Sequence, residues 1–470
     1  MPLILGTNSI KDTGYNVANS CRFDNASSDY LNRTQGGAGN RQTWTFSTWI
    51  KICKRSGDRG IFSYYDDDNN FGKIGLQGDY NQLVVNSRTS GTYHSLLTTT
   101  AYLRDFSAWY NIIVAADTTQ STAANRIKIY INGILQTVSG TLPSQNHNLE
   151  FNTTDANYIS NWNGSSQELD GYLAETVFID GSQLDQTSFG EFDEDSPTIW
   201  KPKDVSGLTF GTYGFYLDYE DSSALGNDKA GSNNFSVNNL TSIDQSTDTC
   251  TNNFATMNPL AAQGGSSESS SVITFTDGNL VVDAISSETA IANIGVDTGK
   301  WYWEVKVLTD QDGLAIGAVN QHFHLDAEIG YNSPSSPSNA KVFAYYGGNG
   351  NKYTTIGDGT QLSSYGDAIA VNDIISVALN LDDDEVVFYK NGTAQNSGTA
   401  ISLTALGSEE QYFPAVGNWS ASAVKLSFNF GSPSFSISSG NADSRGHGNF
   451  EYSVPSGFFA LCTKNLAEFG

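Results

Sequence analysis

Carboxylates are the first groups in this chain whose spacing suggests chemistry. In Glu191-Phe192-Asp193-Glu194-Asp195, an extended backbone would put Glu191, Asp193 and Asp195 on one face. Two carboxylates about 5 Å apart on such a face are what retaining glycoside hydrolysis requires. The surroundings argue against it: no alternating apolar residues flank the run and Ser196-Pro197 ends it at once, so it reads as a solvated acidic loop. Asp66-Asp67-Asp68-Asn69-Asn70 gathers hard oxygen ligands of the kind a cation takes, a match of composition only. The five histidines, His94, His147, His322, His324 and His447, stand beside no recognisable serine or cysteine motif. Gly347-Gly348-Asn349-Gly350-Asn351 lacks the lysine and following helix that cradle a phosphate. Cys21, Cys53, Cys250 and Cys462 form no CxxC pair and no zinc-spaced cluster, and are expected as free thiols. No catalytic residue is assigned, and the chain reads as a non-enzyme.

Recognition chemistry is better represented. Sugar binding typically joins an aromatic face to amide and carboxylate hydrogen bonds. Tyr158, Asn161, Trp162 and Asn163 form one such set, and Tyr345, Tyr346, Asn349, Tyr353 and Trp419 a second. Aromatic residues that merely cover the edge of a core would look the same, so both sets depend on the strands beneath them.

Those strands are legible as short alternating apolar runs bounded by turn residues. They are Trp44 to Ile52, Gln82 to Val85, Tyr110 to Ala115, Ile127 to Ile131 and Gly171 to Ile179, then Trp301 to Leu308, Ile374 to Leu379, Val386 to Tyr389 and Val424 to Phe430. Asn-Gly at 132–133, 163–164 and 391–392 predicts tight hairpins, because positive φ costs little there. Almost nothing carries a helical period, and the expected fold class is all-β. Ile127-Lys128-Ile129-Tyr130-Ile131-Asn132-Gly133 is echoed by Val386-Val387-Phe388-Tyr389-Lys390-Asn391-Gly392, which points to two related sandwiches in tandem. The best boundary lies between Leu240 and Ser271, where Gly264 to Ser271 reads as a linker.

At 470 residues the chain has room for two or three cores. With 24 Lys+Arg against 50 Asp+Glu, its net charge of −26 excludes broad contact with nucleic acid or anionic membrane. No segment has the apolar length of a membrane span, and the amino terminus carries no basic, apolar leader pattern.

Over residues 20 to 190, the segments Trp44 to Lys51, Trp109 to Val114, Ile127 to Gly133 and Leu169 to Val177 resemble the successive strands of laminin-G-like, concanavalin A-like domains. Over 272 to 435, Gly299 to Val305, Ile316-Gly317, Val377 to Asp382, Val387 to Gly392 and Tyr412 to Val416 resemble the SPRY pattern. With Gly214 to Asp218, Asn234 to Val237, Thr251 to Thr256 and Pro455 to Leu461, the whole chain resembles virion proteins of tailed phages of marine bacteria.

That resemblance implies two tandem concanavalin A-like antiparallel sandwiches of jelly-roll type, joined by a Ser/Thr/Asn/Gly-rich linker. The expected parts are a docking segment (1–20), a laminin-G-like sandwich (21–200), an extended connector (201–271), a SPRY-like sandwich (272–435) and a C-terminal segment packing back (436–470). It also implies a surface-exposed virion protein, assembled in the host cytoplasm, that serves as a tail fibre or tail-associated adsorption protein. Its expected partners are other virion proteins and a host-surface glycan or protein, in a homo-oligomer such as a trimer, without nucleic acid or membrane insertion. The alternative is a purely structural part, a capsid decoration or tail-attached protein. Calcium at Asp66, Asp67 and Asp68 is the one cofactor the laminin-G-like resemblance brings in. The SPRY resemblance directs binding to the stretches Ser333 to Gln361 and Asn418 to Ser422.

Overall fold

Period-two apolar runs cannot bury themselves singly, so they pair into sheets and the sheets stack. The computed structural model of the chain describes residues 14–55, 57–264, 273–284, 288–309, 312–325, 329, 339–356, 359–403, 410–420 and 422–470. It divides into two compact units, the first ending at Thr251 and the second holding Asn252–Gly470. The expected docking segment lies mostly outside the described residues, as do most of the Gly264 to Ser271 linker and, within the Ser333 to Gln361 stretch, residues 333–338 and 357–358.

The first unit is a sandwich of two antiparallel sheets. One runs Ile134–Leu135, Ile127–Ile131, Trp109–Asp117, Thr43–Ile52, Gly171–Asp180, Ser20–Phe23, Gln245–Ser246, with Phe215–Leu217 also on Gly171–Asp180. The other runs Val138–Thr141, Thr92–Tyr102, Gln82–Thr89, Asn70–Gln77, Arg59–Asp67, Ala156–Ile159, Tyr30–Thr34, Ser236–Asn238. Alternation in Thr43–Ile52 sends Trp44, Phe46, Ile50 and Ile52 into the core between the sheets, where the Phe46 and Phe62 rings stack at 4.8 Å. Trp49 and Lys51 point to the opposite face and are buried as well, because residues beyond the last long strand fold back over it.

That cover corrects the expectation of an extended connector at 201–271. Phe215–Leu217, Ser236–Asn238 and Gln245–Ser246 add strands to the first sandwich, and Trp200 packs with Trp49, Trp109 and Tyr172. The polar composition hides a scattered apolar set, Phe215, Leu217, Tyr219, Leu225, Phe235 and Leu240, that packs into the core of this unit without any periodic run, and a buried ion pair joins it. The Lys51 ammonium lies 2.6 Å from Asp248 Oδ2, and the Trp109 indole donates to Asp248 Oδ1 at 3.0 Å.

In the second unit one sheet runs Met257–Gly264, Glu288–Ala292, Tyr412–Asn418, Leu314–Asn320, Val342–Tyr346, Asn351–Ile356, Gly359–Ser364. Its partner runs Thr274–Thr276, Val281–Ala284, Val424–Asn429, Lys300–Thr309, Ile374–Asn380, Glu385–Lys390, Thr393–Ala394. Met257–Gly264 belongs to this sandwich, so the residues after it join two strands of one unit rather than two units. Trp301, Trp303, Val305 and Val307 enter the core, while Tyr302 and Glu304 face outward beneath the carboxyl-terminal residues Phe450, Ala460 and Cys462. The chain ends in a short helix, Thr463–Phe469.

The echoed hairpins occupy equivalent places. Ile127–Ile131 lies beside Trp109–Asp117, which lies beside Thr43–Ile52; Glu385–Lys390 lies beside Ile374–Asn380, which lies beside Lys300–Thr309. Asn132-Gly133 and Asn391-Gly392 close them with positive φ at both residues. Asn163-Gly164 does not close a hairpin between strands; the Asn161 side chain accepts from both of their backbone N–H groups inside a loop.

Candidate functional site

The second aromatic set splits when the strands are built, because consecutive strand residues point to opposite faces. Tyr345 is fully buried between the sheets, its ring near Tyr365 and Phe388 and its hydroxyl donating to the Asp367 carbonyl. Tyr353 is buried on the outer face of the Leu314–Asn320 sheet with Val342 and Phe413. Both are core residues, not binding aromatics. Tyr346 and Trp419 remain together, at the ends of Val342–Tyr346 and Tyr412–Asn418, with their rings stacked at 5.7 Å and 19°. Tyr346 is buried and Trp419 half-buried, so Trp419 is the outer member of the pair.

The loops around this stack are built tightly. The Trp419 N–H donates to the Gly313 carbonyl at 3.2 Å, and the Gly347 N–H to Leu314 at 2.8 Å. Gly313 has φ +81, and a Cβ there would fall 2.4 Å from the Ser420 nitrogen, so only glycine permits this approach. Buried Asn418 donates to the Ser422 carbonyl and accepts from Ser420 N–H, fixing the backbone that carries Trp419. Exposed Asn349 accepts from Asn351 N–H at 3.1 Å, and exposed Asp312 completes the rim. Burial, and secondarily Asp312, raise the Tyr346 hydroxyl above its ordinary pKa, so it stays protonated as a donor. Sequence reading missed Asp312 and Gly313, although Asp-Gly is itself a turn signal.

The first aromatic set is mostly packing. Tyr158 lies against Tyr30 at 6.0 Å. Trp162 is wedged edge-to-face on Tyr65 and Phe71, with the Lys73 ammonium 5.9 Å from its ring. Lys73 donates to Gln167, and burial lowers its pKa to about 8. Buried Asn161 is committed to Glu168 and to its own turn, and Asn163 to Ser165 and Ser166.

Asp66 and Asp67 end the strand Arg59–Asp67 and Asp68 begins the turn to Asn70–Gln77, all three exposed. Asp67 accepts from the Asn69 N–H and the Asn70 amide, and Asp68 from the Tyr65 hydroxyl. Among the described residues no three His, Cys, Asp or Glu side chains are arranged to hold a metal ion, so the aspartates are not gathered into the site expected of them. The acidic run at 191–195 forms a hairpin, Gly190–Phe192 with Trp200–Pro202, in which Lys201 lies 3.3 Å from Asp193 and 3.7 Å from Glu191. An acidic cleft of about 570 Å³ is lined by Asp218, Glu220, Asp228 and Lys229, the lysine paired with Asp218 at 3.0 Å and Glu220 at 3.4 Å. The four cysteines are free thiols; burial raises the pKa of each, leaving little reactive thiolate.

Comparison with known proteins matches both halves. A family model described as the concanavalin A-like lectin/glucanases superfamily (Laminin_G_3) covers residues 25–185, and one described as the SPRY domain covers 300–433. The chain carries a concanavalin A-like domain followed by a SPRY domain. The ATP-dependent RNA helicase Ddx1 of Drosophila melanogaster is 32% identical over 143 residues, which are 30% of this chain and 17% of the helicase. Among solved structures, the SPRY domain of human HERC1 is 16% identical (TM-score 0.28), covering 37% of this chain and 96% of that one. The heptameric SAP-like pentraxin from Limulus polyphemus is 14% identical (TM-score 0.28), covering 36% and 80%. The PSpry domain of TRIM65 is 12% identical (TM-score 0.27), covering 37% and 88%. No helix among the described residues is long and apolar enough to cross a membrane.

Proposed function

We propose that this chain is a non-enzymatic recognition protein of a phage virion, displayed on the particle as a tail fibre or adsorption component. It holds host-surface glycan or protein at the loop end of its SPRY domain. The observation that carries the reading is the Tyr346–Trp419 stack, set at the end of two sheet strands with exposed Asp312 close to Tyr346 and exposed Asn349 in the turn that follows it. An aromatic platform with neighbouring carboxylate and amide suits a sugar ring. Single contacts of this kind give millimolar to micromolar affinity, about −4 to −8 kcal/mol, and copies on a particle supply the avidity. The order of motifs along the whole chain supports the virion setting.

The test is adsorption of a multivalent form to intact host cells. Trp419→Ala should lower adsorption at least tenfold while leaving the melting transition in place, and equal adsorption by both forms would remove this rim from the account. A structural role within the virion is favoured by one observation: Ile134 and Leu135, on a sheet edge, are 59% and 58% exposed. Tight binding to another virion protein that is lost in Ile134→Glu, with no adsorption to cells, would establish that reading instead.

A further inference from the structure

Charge is distributed unevenly in this acidic chain. Of its nine arginines, seven have guanidiniums bonded to carboxylates or backbone carbonyls, such as Arg41 to Glu150 and Leu149 or Arg126 to Gln120 and Pro143. Arg55 and Arg104 differ: both are exposed, and their described contacts are to tyrosine. Arg104 sits over the rings of Tyr80 (4.9 Å) and Tyr102 (4.6 Å). Arg55 lies 5.4 Å from the Tyr80 ring and donates to its hydroxyl at 3.5 Å. The two rings meet edge-to-face at 5.9 Å and are 43% and 45% exposed. Two arginines and two large aromatic side chains are therefore turned to solvent at one end of the concanavalin A-like domain.

The cluster is held from below. Asn81, fully buried, donates to the carbonyls of Lys54 and Leu103, while Arg59 donates to the Lys54 carbonyl and to Asn81 Oδ1. Each anchored residue adjoins a member of the patch: Lys54 precedes Arg55, Asn81 follows Tyr80, and Leu103 lies between Tyr102 and Arg104. Buried Asn81 has φ 57, a left-handed conformation that asparagine tolerates better than most residues. Nearby Asp105 is engaged by the Ser107 N–H and hydroxyl, and no carboxylate among the described residues lies within 4 Å of either guanidinium.

We infer that this patch binds an anionic glycan, a polysaccharide whose sugars carry carboxylates. A guanidinium held over an aromatic ring keeps its in-plane N–H donors for a planar, bidentate acceptor, which a carboxylate provides. The exposed tyrosine rings contribute apolar area and hydroxyls to the sugar beside it. A net charge of −26 opposes long polyanions at a distance, so recognition rests on these short-range contacts and favours a ligand with spaced charges. This site belongs to the unit that does not carry Trp419, and it shares no residue with the Trp419 rim.

The experiment titrates the full chain, monovalent and on a multivalent support, with an oligogalacturonate, a neutral glucan oligomer and a single-stranded DNA oligomer. The expected result is retention of the oligogalacturonate alone, weakening as salt rises. Arg104→Gln and Arg55→Gln should each lower that binding at least tenfold, Arg104→Lys less, and Trp419→Ala should not change it. Folding is checked by melting, and these exposed changes should leave it unaltered. Equal binding of the neutral oligomer, preferred binding of DNA, or no oligogalacturonate binding in either form would overturn the inference. Host-cell adsorption that survives both arginine variants and is lost with Trp419→Ala would overturn it while leaving the proposed function standing.

Discussion

Both sandwiches hide the outer face of a central sheet under a returning stretch of chain, and each does so with a buried acid, yet the acids are satisfied differently. In the concanavalin A-like domain, Asp248 on the returning chain meets the Lys51 ammonium at 2.6 Å on the sheet. In the SPRY domain the acid, Glu304, is on the sheet, and no cation among the described residues forms an ion pair with it. It accepts from the backbone N–H groups of Glu451 and Tyr452, the Asn429 amide and the Tyr302 hydroxyl, at 2.8 to 3.1 Å. Burial raises the Glu304 pKa and the four donors oppose that rise. A third acid, Glu175, accepts among the described residues from the hydroxyls of Tyr216 (2.9 Å) and Tyr15 (3.3 Å), and burial pushes its pKa to about 7. Glu175 also sits at a bulge in Gly171–Asp180 with φ 49. A counter-ion, a set of N–H donors and a pair of hydroxyls thus form a descending series of support for a buried negative charge.

The series can be broken member by member. Asp248→Ala removes the carboxylate that faces the buried Lys51 ammonium and should cost the first sandwich about 3–5 kcal/mol in denaturant unfolding. A loss under about 1 kcal/mol would mean that water reaches the lysine. Glu175→Gln should act through pH. The folded carboxyl keeps its proton to about pH 7, while the unfolded one releases it near 4.5. The wild-type fold therefore loses stability as pH rises through that window, by about 3 kcal/mol, and the amide removes this slope. Parallel stability-pH curves for the two proteins would show that the buried carboxylate is not strained. Glu304→Gln should have the smallest effect, about 2 kcal/mol, since the amide keeps one acceptor oxygen but turns an NH₂ group toward backbone donors. Protease sensitivity at residues 441–458 would report it, rising in the variant.

What the sequence disclosed and what it hid follow one physical division. Alternation is a local property, so Ile127–Ile131 was legible to the residue, and the inward register of Trp301, Trp303 and Val305 followed from it. Strands reached past their apolar runs where backbone pairing continued: Lys300 opposes Asn380, and Asn380 opposes Glu385. The strands in 201–251 are three residues or shorter and were invisible to periodicity. Candidate sites fared worse because exposure depends on the face. Tyr345 and Tyr346 are neighbours, yet one is core and the other supports the rim. Arg55, Tyr80 and Arg104 are brought together by strand pairing of Gln82 with Tyr102 and by the contacts around Asn81, which no window of sequence spans.

Recognition without cleavage, as proposed, is distinguished from hydrolysis with purified envelope polysaccharide of the proposed host. The multivalent protein is incubated with it, and retained polysaccharide and new reducing ends are measured in the same sample. Retention should fall at least tenfold in Trp419→Ala, with no reducing ends above the protein-free control. Release of reducing ends that disappears in Glu191→Gln or Asp193→Asn would contradict it and make the chain a glycan hydrolase.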